Sequence, residues 1–147
     1  MLGKFAGGAV ATLMAVYGAT AADVAVIVNS GSTNTAGFRI VVERSGKAEF
    51  TAGPRRSSRS PDETPKHLER TLPDAVVERL YSDLDAAKPF ASLPNRRCMK
   101  STSFGTKLTI EFGGEETPDL SCGSGDNAKL QDLVRDANEI VKLFSAN

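Results

Sequence analysis

Short runs of apolar or alternating residues predict β-strands in the first half of the chain. Residues 24–28 form a compact β-branched run that ends at Asn29-Ser30-Gly31, as a first strand would. Residues 38–43 alternate loosely, with apolar side chains on one face, and a glycine-containing turn leads to residues 48–51. This spacing predicts a β-hairpin. Residues 67–70 are the next candidate, a short strand that returns from a polar insertion.

A second β region follows from the pattern between residues 96 and 122. The segment 96–100 is predicted to enter it, and residues 107–112 alternate cleanly between polar and apolar. Gly113-Gly114 predicts a tight turn, after which residues 117–122 are predicted to return as the paired strand.

Helical spacing appears between and after these two strand regions. Thr71-Leu72-Pro73-Asp74 predicts a helix start, with a hydroxyl cap, an early proline and a carboxylate near the positive end, and Lys88-Pro89 predicts its stop. Phe90 and Leu93 are expected to fold back onto this helix. The apolar residues at helical spacing are Ala75, Val76, Leu80, Tyr81 (or Val77), Leu84 and Ala87.

The last 20 residues carry the strongest periodicity of the chain. Residues 123–126 are expected to break the preceding strand and cap a helix, in which one apolar stripe is formed by Leu130, Leu133, Val134, Ala137, Ile140, Val141 and Phe144. The predicted fold is therefore α+β: an antiparallel sheet built from two β-hairpins, with two amphipathic helices packed on it.

The amino terminus has the composition of a secretory signal. Lys4 is the one charge before an uncharged apolar run over residues 5–18, and Ala19-Thr20-Ala21 offers small residues at the positions that signal peptidase reads. A spanning helix needs about 20 apolar residues, and this shorter run is interrupted by glycines. We predict cleavage after Ala21, a single domain over residues 22–147 without a stable membrane anchor, and a secreted or periplasmic location.

Two cysteines, Cys98 and Cys122, are the only ones in the chain. In an exported protein an even count predicts a disulfide, and two cysteines allow only one intramolecular pairing. The alternatives are a redox-active pair or an intermolecular bridge. A redox pair usually has two cysteines one turn apart, unlike this spacing.

Charge narrows the classes of partner. The chain has 18 basic and 18 acidic residues. Lys4 is the only charged residue within residues 1–21, so the chain stays nearly neutral after their removal. Near neutrality argues against a dedicated nucleic-acid or membrane-surface binder. The charge is uneven, because residues 39–107 hold 14 Lys and Arg against 9 Asp and Glu, whereas residues 108–147 hold 3 against 8.

Residues 53–66 form a basic, proline-rich insertion with no large apolar side chain. Such a composition predicts a flexible surface loop rather than a part of the core. Arg55, Arg56 and Arg59 make it a possible interaction loop, either for an anionic surface or as the reactive loop of a protease inhibitor. Tight inhibitors hold that loop rigid, which this composition does not favour.

No motif in the sequence predicts catalysis, a cofactor or a bound metal. His67 is the single histidine, and without cysteine or carboxylate neighbours one histidine does not make a zinc site. No Gly-x-Ser-x-Gly elbow is present. Glu111, Glu115, Glu116 and Asp119 surround the second turn, where solubility and edge protection explain them more simply than glycoside or calcium chemistry. The glycine-containing segment 122–126 could offer backbone donors to an anion, but helix capping explains it better.

One resemblance adds to this picture. The segments Ser103-Phe104-Gly105-Thr106 and Pro118-Asp119-Leu120-Ser121-Cys122 resemble those of small exported bacterial proteins without an assigned function, which have a hairpin–helix, hairpin–helix layout. The resemblance implies a fold and a compartment, and no active site. The leading functional hypothesis is a non-catalytic binding module for an unknown protein or small ligand outside the cytoplasm. The alternatives are an extracytoplasmic hydrolase and a secreted inhibitor acting through residues 53–66.

Overall fold

The computed structural model of the chain describes residues 23–53 and 66–146. These residues form a six-stranded antiparallel sheet and two α-helices, which confirms the predicted α+β class. The strands are β1 (Val24–Asn29), β2 (Phe38–Glu43), β3 (Lys47–Ala52), β4 (His67–Thr71), β5 (Leu108–Phe112) and β6 (Glu115–Glu116), and the helices are α1 (Asp74–Ala87) and α2 (Ala128–Ser145).

The sheet has the order β4-β3-β2-β1-β5-β6. Strand β1 lies in the middle and pairs with β2 on one side and with β5 on the other, so that Ile27 stands opposite both Ile40 and Ile110. The hairpins β2–β3 and β5–β6 thus flank a single central strand. Strand β4 extends the first hairpin to one edge of the sheet.

Both helices pack on one face of the sheet, where the alternating strand residues point inward. The core residues of the strands are Ala25, Ile27, Ile40, Val42, Ala48, Leu108, Ile110 and Phe112. Those of the helices are Val76, Val77, Leu80, Tyr81, Leu84, Ala87, Leu130, Leu133, Ala137, Ile140 and Phe144. Phe90 and Leu93 are buried in the same cluster, as predicted, with Phe90 in a 3₁₀ helix at Phe90–Ser92.

A buried tyrosine ties α1 to the central strands. The Tyr81 hydroxyl accepts a hydrogen bond from the Ala25 amide at 3.1 Å and donates one to the Val42 carbonyl at 2.6 Å. Burial raises the pKa of Tyr81 above its usual value, so the hydroxyl stays protonated and keeps its role as donor.

An ionic network joins α1 to α2. The Asp136 side chain is fully buried, and its Oδ1 accepts from Nε of Arg79 at 2.9 Å and from Nε of Arg135 at 3.0 Å. Arg135 also contacts Asp83 on α1 at 2.7 Å, and Arg79 pairs with Glu139. The second oxygen of Asp136 is buried without a hydrogen-bond partner in the described part of the chain.

Two predicted helix caps are wrong. Thr71 is the last residue of β4, where it pairs with Lys47, so it is not available as a cap, and α1 begins after Pro73 without a side-chain cap. The cap of α2 is Asn127, whose side chain accepts from the Leu130 amide at 2.9 Å. The predicted capping segment ends one residue too early.

Two predicted strands are absent from the second β region. Residues 96–100 have no alternating burial and pair with no strand. Strand β6 ends at Glu116, and only Thr117 continues the pairing, through its amide to Ile110 at 3.0 Å. Pro118 then has no amide hydrogen to donate to a ladder, and residues 120–122 form a 3₁₀ helix instead of a strand.

Several predictions lie outside the described residues. These are the signal segment 1–21 with its cleavage site, and Arg55, Arg56 and Arg59 of the basic insertion. Within residues 23–53 and 66–146, neither helix has the length and apolar character that crossing a membrane requires.

Candidate binding surface at the cystine loop

Residues 94–107 connect the Phe90–Ser92 turn to β5 without forming a helix or strand, and we call this segment the cystine loop. Cys98 forms a disulfide with Cys122, with their Cα atoms 5.3 Å apart, which confirms the predicted pairing. The bond links the loop to the 3₁₀ helix Leu120–Cys122 that precedes α2.

Hydrogen bonds fix the second half of the cystine loop to the segment after β1. The Ser103 carbonyl accepts from the Ser32 hydroxyl at 2.7 Å and from the Asn34 amide at 2.9 Å. The Lys107 amide donates to the Ser30 hydroxyl at 2.9 Å, and the Ser30 amide donates to the Lys107 carbonyl at 3.0 Å. The loop is therefore held at both ends and in its middle.

Asp119 organises the base of this surface. Its carboxylate accepts hydrogen bonds from the Leu108 amide at 3.1 Å and from the Ser121 hydroxyl at 2.6 Å, and it pairs with the Lys100 ammonium. Burial acts to raise the pKa of Asp119, but the hydrogen bonds from Lys100, Ser121 and the Leu108 amide together lower it below its usual value. Asp119 is therefore a charged anchor that holds Lys100 against the 3₁₀ helix.

The cystine loop presents large apolar side chains to solvent. Met99 is fully exposed and Phe104 is 67% exposed, and they are the two exposed large hydrophobic residues in the part of the chain that the structure describes. Both lie on this one tethered segment. Scattered exposed apolar residues need no explanation, but two on a fixed loop suit contact with another molecule.

A cleft of about 520 Å³ lies beside these residues, and we call it the cystine cleft. Arg96, Arg97, Lys100 and Lys107 line it, together with the disulfide and the carboxylates of Glu116 and Asp119. Arg96, Arg97 and Lys107 make no ion pair with any described residue. Because Lys100 already neutralises Asp119, the remaining lining has a net positive charge.

Of the acidic residues that the sequence groups around the second turn, Glu111, Glu115 and Glu116 line one cleft of about 360 Å³ on the outward face of the sheet, where Glu111 stands opposite Glu116. Glu111 lies 3.5 Å from Arg39 across the outward face of the sheet. Glu115 accepts from the Phe90 amide at 2.7 Å, and Asp119 anchors the cystine loop. The contacts of Glu115 and Asp119 explain these two as structural residues of this end of the sheet.

His67 lies elsewhere, on the outward face of the edge strand β4, and the sequence reasoning missed its neighbours. Glu49 of β3 and Glu69 of β4 stand beside it, and one ligand atom from each of the three residues lies within 4.8 Å of the others. The sequence does place two polar residues at alternate, outward-facing positions of each strand, Glu49 and Thr51 on β3 and His67 and Glu69 on β4. These residues can be recognised as neighbours only when the register of β3 against β4 is known.

Comparison with known proteins adds no family. No protein-family model matches the chain, and no curated protein matches it. The resemblance to small exported bacterial proteins therefore stays a prediction.

Proposed function

We propose that the chain is a non-catalytic extracytoplasmic binding module, exported by a signal at residues 1–21, that binds its partner through the cystine loop. One observation carries the proposal: Met99 and Phe104 are exposed on a covalently tethered loop that also holds the cations Arg96, Arg97 and Lys107. The disulfide supports the compartment, since such bonds persist in oxidising environments outside the cytosol.

The anchoring of the loop favours binding. Ordering an interface side chain costs about 0.5–1.5 kcal/mol on association, and a flexible loop adds the cost of its backbone. Here the disulfide and the hydrogen bonds of Ser103 and Lys107 already order the backbone of the loop when the chain folds. The exposed side chains are thus presented on a segment that loses little entropy when a partner binds.

The chemistry of the surface indicates an acidic segment of a protein as the partner. Cations line a concave cleft that carboxylate side chains could enter. Met99 and Phe104 offer apolar contacts in a second depression, which shares Cys98 and Lys100 with that cleft. Arginine pairs with carboxylates through two parallel hydrogen bonds, which adds orientation to attraction. A lipid bilayer is a flat surface and cannot fill a cleft of about 520 Å³.

Binding of labelled acidic peptides tests the proposal directly. Fluorescence anisotropy would compare peptides that combine glutamates with one phenylalanine against peptides of the same composition with lysines. We expect the acidic peptides alone to bind, and the double variant Arg96→Glu/Arg97→Glu to weaken binding by about tenfold or more. Met99→Ser/Phe104→Ser is expected to weaken it without changing its dependence on salt.

A matched control separates the cleft from general electrostatics. Lys129→Glu/Lys142→Glu reverses the same number of charges on exposed residues of α2, and it should leave peptide affinity within about twofold. Equal losses in the two double variants, or no binding by any acidic peptide, would refute the proposed surface.

The compartment has its own test. Mass spectrometry of the exported protein should show an amino terminus at Ala22 and a mass lower by two hydrogens than that of the reduced chain. An intact Met1, or two thiols that alkylate without reduction, would contradict export and oxidation respectively.

A further inference from the structure

The outward face of strands β3 and β4 brings together an imidazole and two carboxylates. Glu49 stands directly opposite Glu69 in the antiparallel register, and Thr51 stands opposite His67. The His67 Nε2 atom lies 3.6 Å from Oε1 of Glu69. Three donor atoms from two paired strands therefore lie within 4.8 Å of one another, all on one side of the sheet.

Two glutamates directly opposite each other on one sheet face repel, which is unfavourable unless a cation neutralises them. Lys47 supplies part of this compensation, with its Nζ 2.6 Å from Oε1 of Glu49. A divalent cation between Glu49 and Glu69 would offset the repulsion more completely, because it attracts both carboxylates at once.

The imidazole decides which cation suits the group. Calcium and magnesium prefer oxygen ligands alone, whereas imidazole nitrogen with carboxylate oxygens suits zinc and its neighbours. Zinc sites with three protein ligands keep a fourth position for water. The Thr51 Oγ1 atom lies 3.3 Å from Nδ1 of His67, an outer contact that orients the ring and leaves Nε2 towards Glu69.

We propose that Glu49, His67 and Glu69 form a zinc-binding site that joins strands β3 and β4. Because the ligands come from both strands, the bound ion would hold the edge strand β4 to the rest of the sheet. The site is independent of the cystine loop, since β4 and β6 are at opposite edges of the sheet. Failure of either proposal therefore leaves the other standing.

The single histidine of the chain allows a site-specific test. The exported chain, purified without a histidine tag, would be titrated with zinc chloride by calorimetry while the imidazole carbon–proton signals are followed by NMR. We expect one zinc ion per chain, a change in the one histidine signal with the same saturation point, and a rise in the unfolding temperature. Calcium chloride at equal concentration should produce none of these.

Variants assign the ligands. His67→Gln should weaken zinc binding by about tenfold or more, and Glu69→Gln by several-fold, because each removes one ligand. Glu78→Gln, which removes an exposed carboxylate on α1 outside both proposed sites, is the matched control and should leave zinc affinity unchanged. Lys47→Met should tighten binding, since it frees Glu49 from its ion pair.

Three outcomes would overturn the proposal. The first is that roughly 100 μM zinc produces neither heat of binding nor a change in the histidine NMR signal. The second is that His67→Gln binds zinc with unchanged affinity, and the third is that calcium binds as tightly as zinc. His67 is an exposed residue on an edge strand, so its replacement should leave the fold intact, and circular dichroism of the variant would verify this.

Discussion

Replacement of Arg79 by methionine tests how much the buried carboxylate of Asp136 depends on its partner across the helix interface. The substitution removes the guanidinium and keeps most of the side-chain stem. In the wild-type chain Nε of Arg79 donates to Oδ1 of Asp136 at 2.9 Å, and Asp136 has no solvent exposure.

The expected cost follows from the contacts that remain. A hydrogen bond to a charged group contributes about 1.5–3 kcal/mol. Leaving a buried charge with no partner would cost about 3–5 kcal/mol, but Arg135 still donates to the same oxygen at 3.0 Å. Arg79 is also 36% exposed, so water screens part of its interaction. We therefore expect Arg79→Met to lower the free energy of unfolding by about 2 kcal/mol.

Urea denaturation followed by far-ultraviolet circular dichroism measures this loss, and a second background isolates its cause. Asp136→Leu replaces the buried carboxylate with an apolar side chain of similar size, while the partly exposed Arg79 and Arg135 keep their pairs with Glu139 and Asp83. Arg79→Met in that background should cost about 1 kcal/mol or less, because only the partly exposed pair with Glu139 is then lost.

Two results would refute this reasoning. One is a cost below about 0.5 kcal/mol for Arg79→Met in the wild-type chain, as expected of a screened surface pair. The other is an equal cost in both backgrounds, which would attribute the loss to the pair of Arg79 with Glu139 and not to Asp136.

Three further predictions concern the cystine loop and the sheet. Cys98→Ser/Cys122→Ser removes a cross-link between residues 24 positions apart, and it should lower the free energy of unfolding by about 3.5 kcal/mol in chemical denaturation. An unchanged denaturation midpoint would contradict this prediction. The folded state lowers the pKa of Asp119, so the ionised carboxylate stabilises the fold fully above the normal aspartate pKa, and this stabilisation is lost as the pH falls through the acid range. Asp119→Asn should therefore lower the free energy of unfolding more at pH 7 than at about pH 2.5. A loss that does not depend on pH would contradict this prediction. Tyr81→Phe leaves two buried backbone groups without their partner and should cost about 1–3 kcal/mol in thermal unfolding, where a neutral effect would contradict it.

The sequence predicts elements well where burial is one-sided. Residues 38–43 and 107–112 alternate because one face of β2 and β5 meets the helices, and the stripe of α2 follows from the same requirement. The predicted helix start at Thr71 is wrong because this residue suits either a helix cap or a strand end. A hydroxyl before proline suits a helix cap, but pairing with Lys47 keeps Thr71 in the sheet.

Contacts between distant segments could not be predicted in the same way. The group around His67 depends on the register that places Glu49 opposite Glu69, and the long connection between β3 and β4 hides that register in the sequence. Asp136 is similar, since only the packing of α1 on α2 brings Arg79 to it. Residues 96–100 resemble a strand entry locally, but they pair with no strand in the described part of the chain.

The central position of β1 has a consequence for how the chain reaches its fold. Among the described strands β1 comes first along the chain, and the pairing of its Ile27 with Ile110 waits for a strand more than half the chain away. Such distant contacts carry a large loop-closure entropy and form late. Until β5 arrives, one edge of an apolar strand stays unpaired, and unpaired edges promote aggregation. A nascent or truncated chain that ends before residue 107 should therefore need a chaperone to cover that edge. The second hairpin extends the sheet and also covers the edge of β1 that would otherwise promote aggregation.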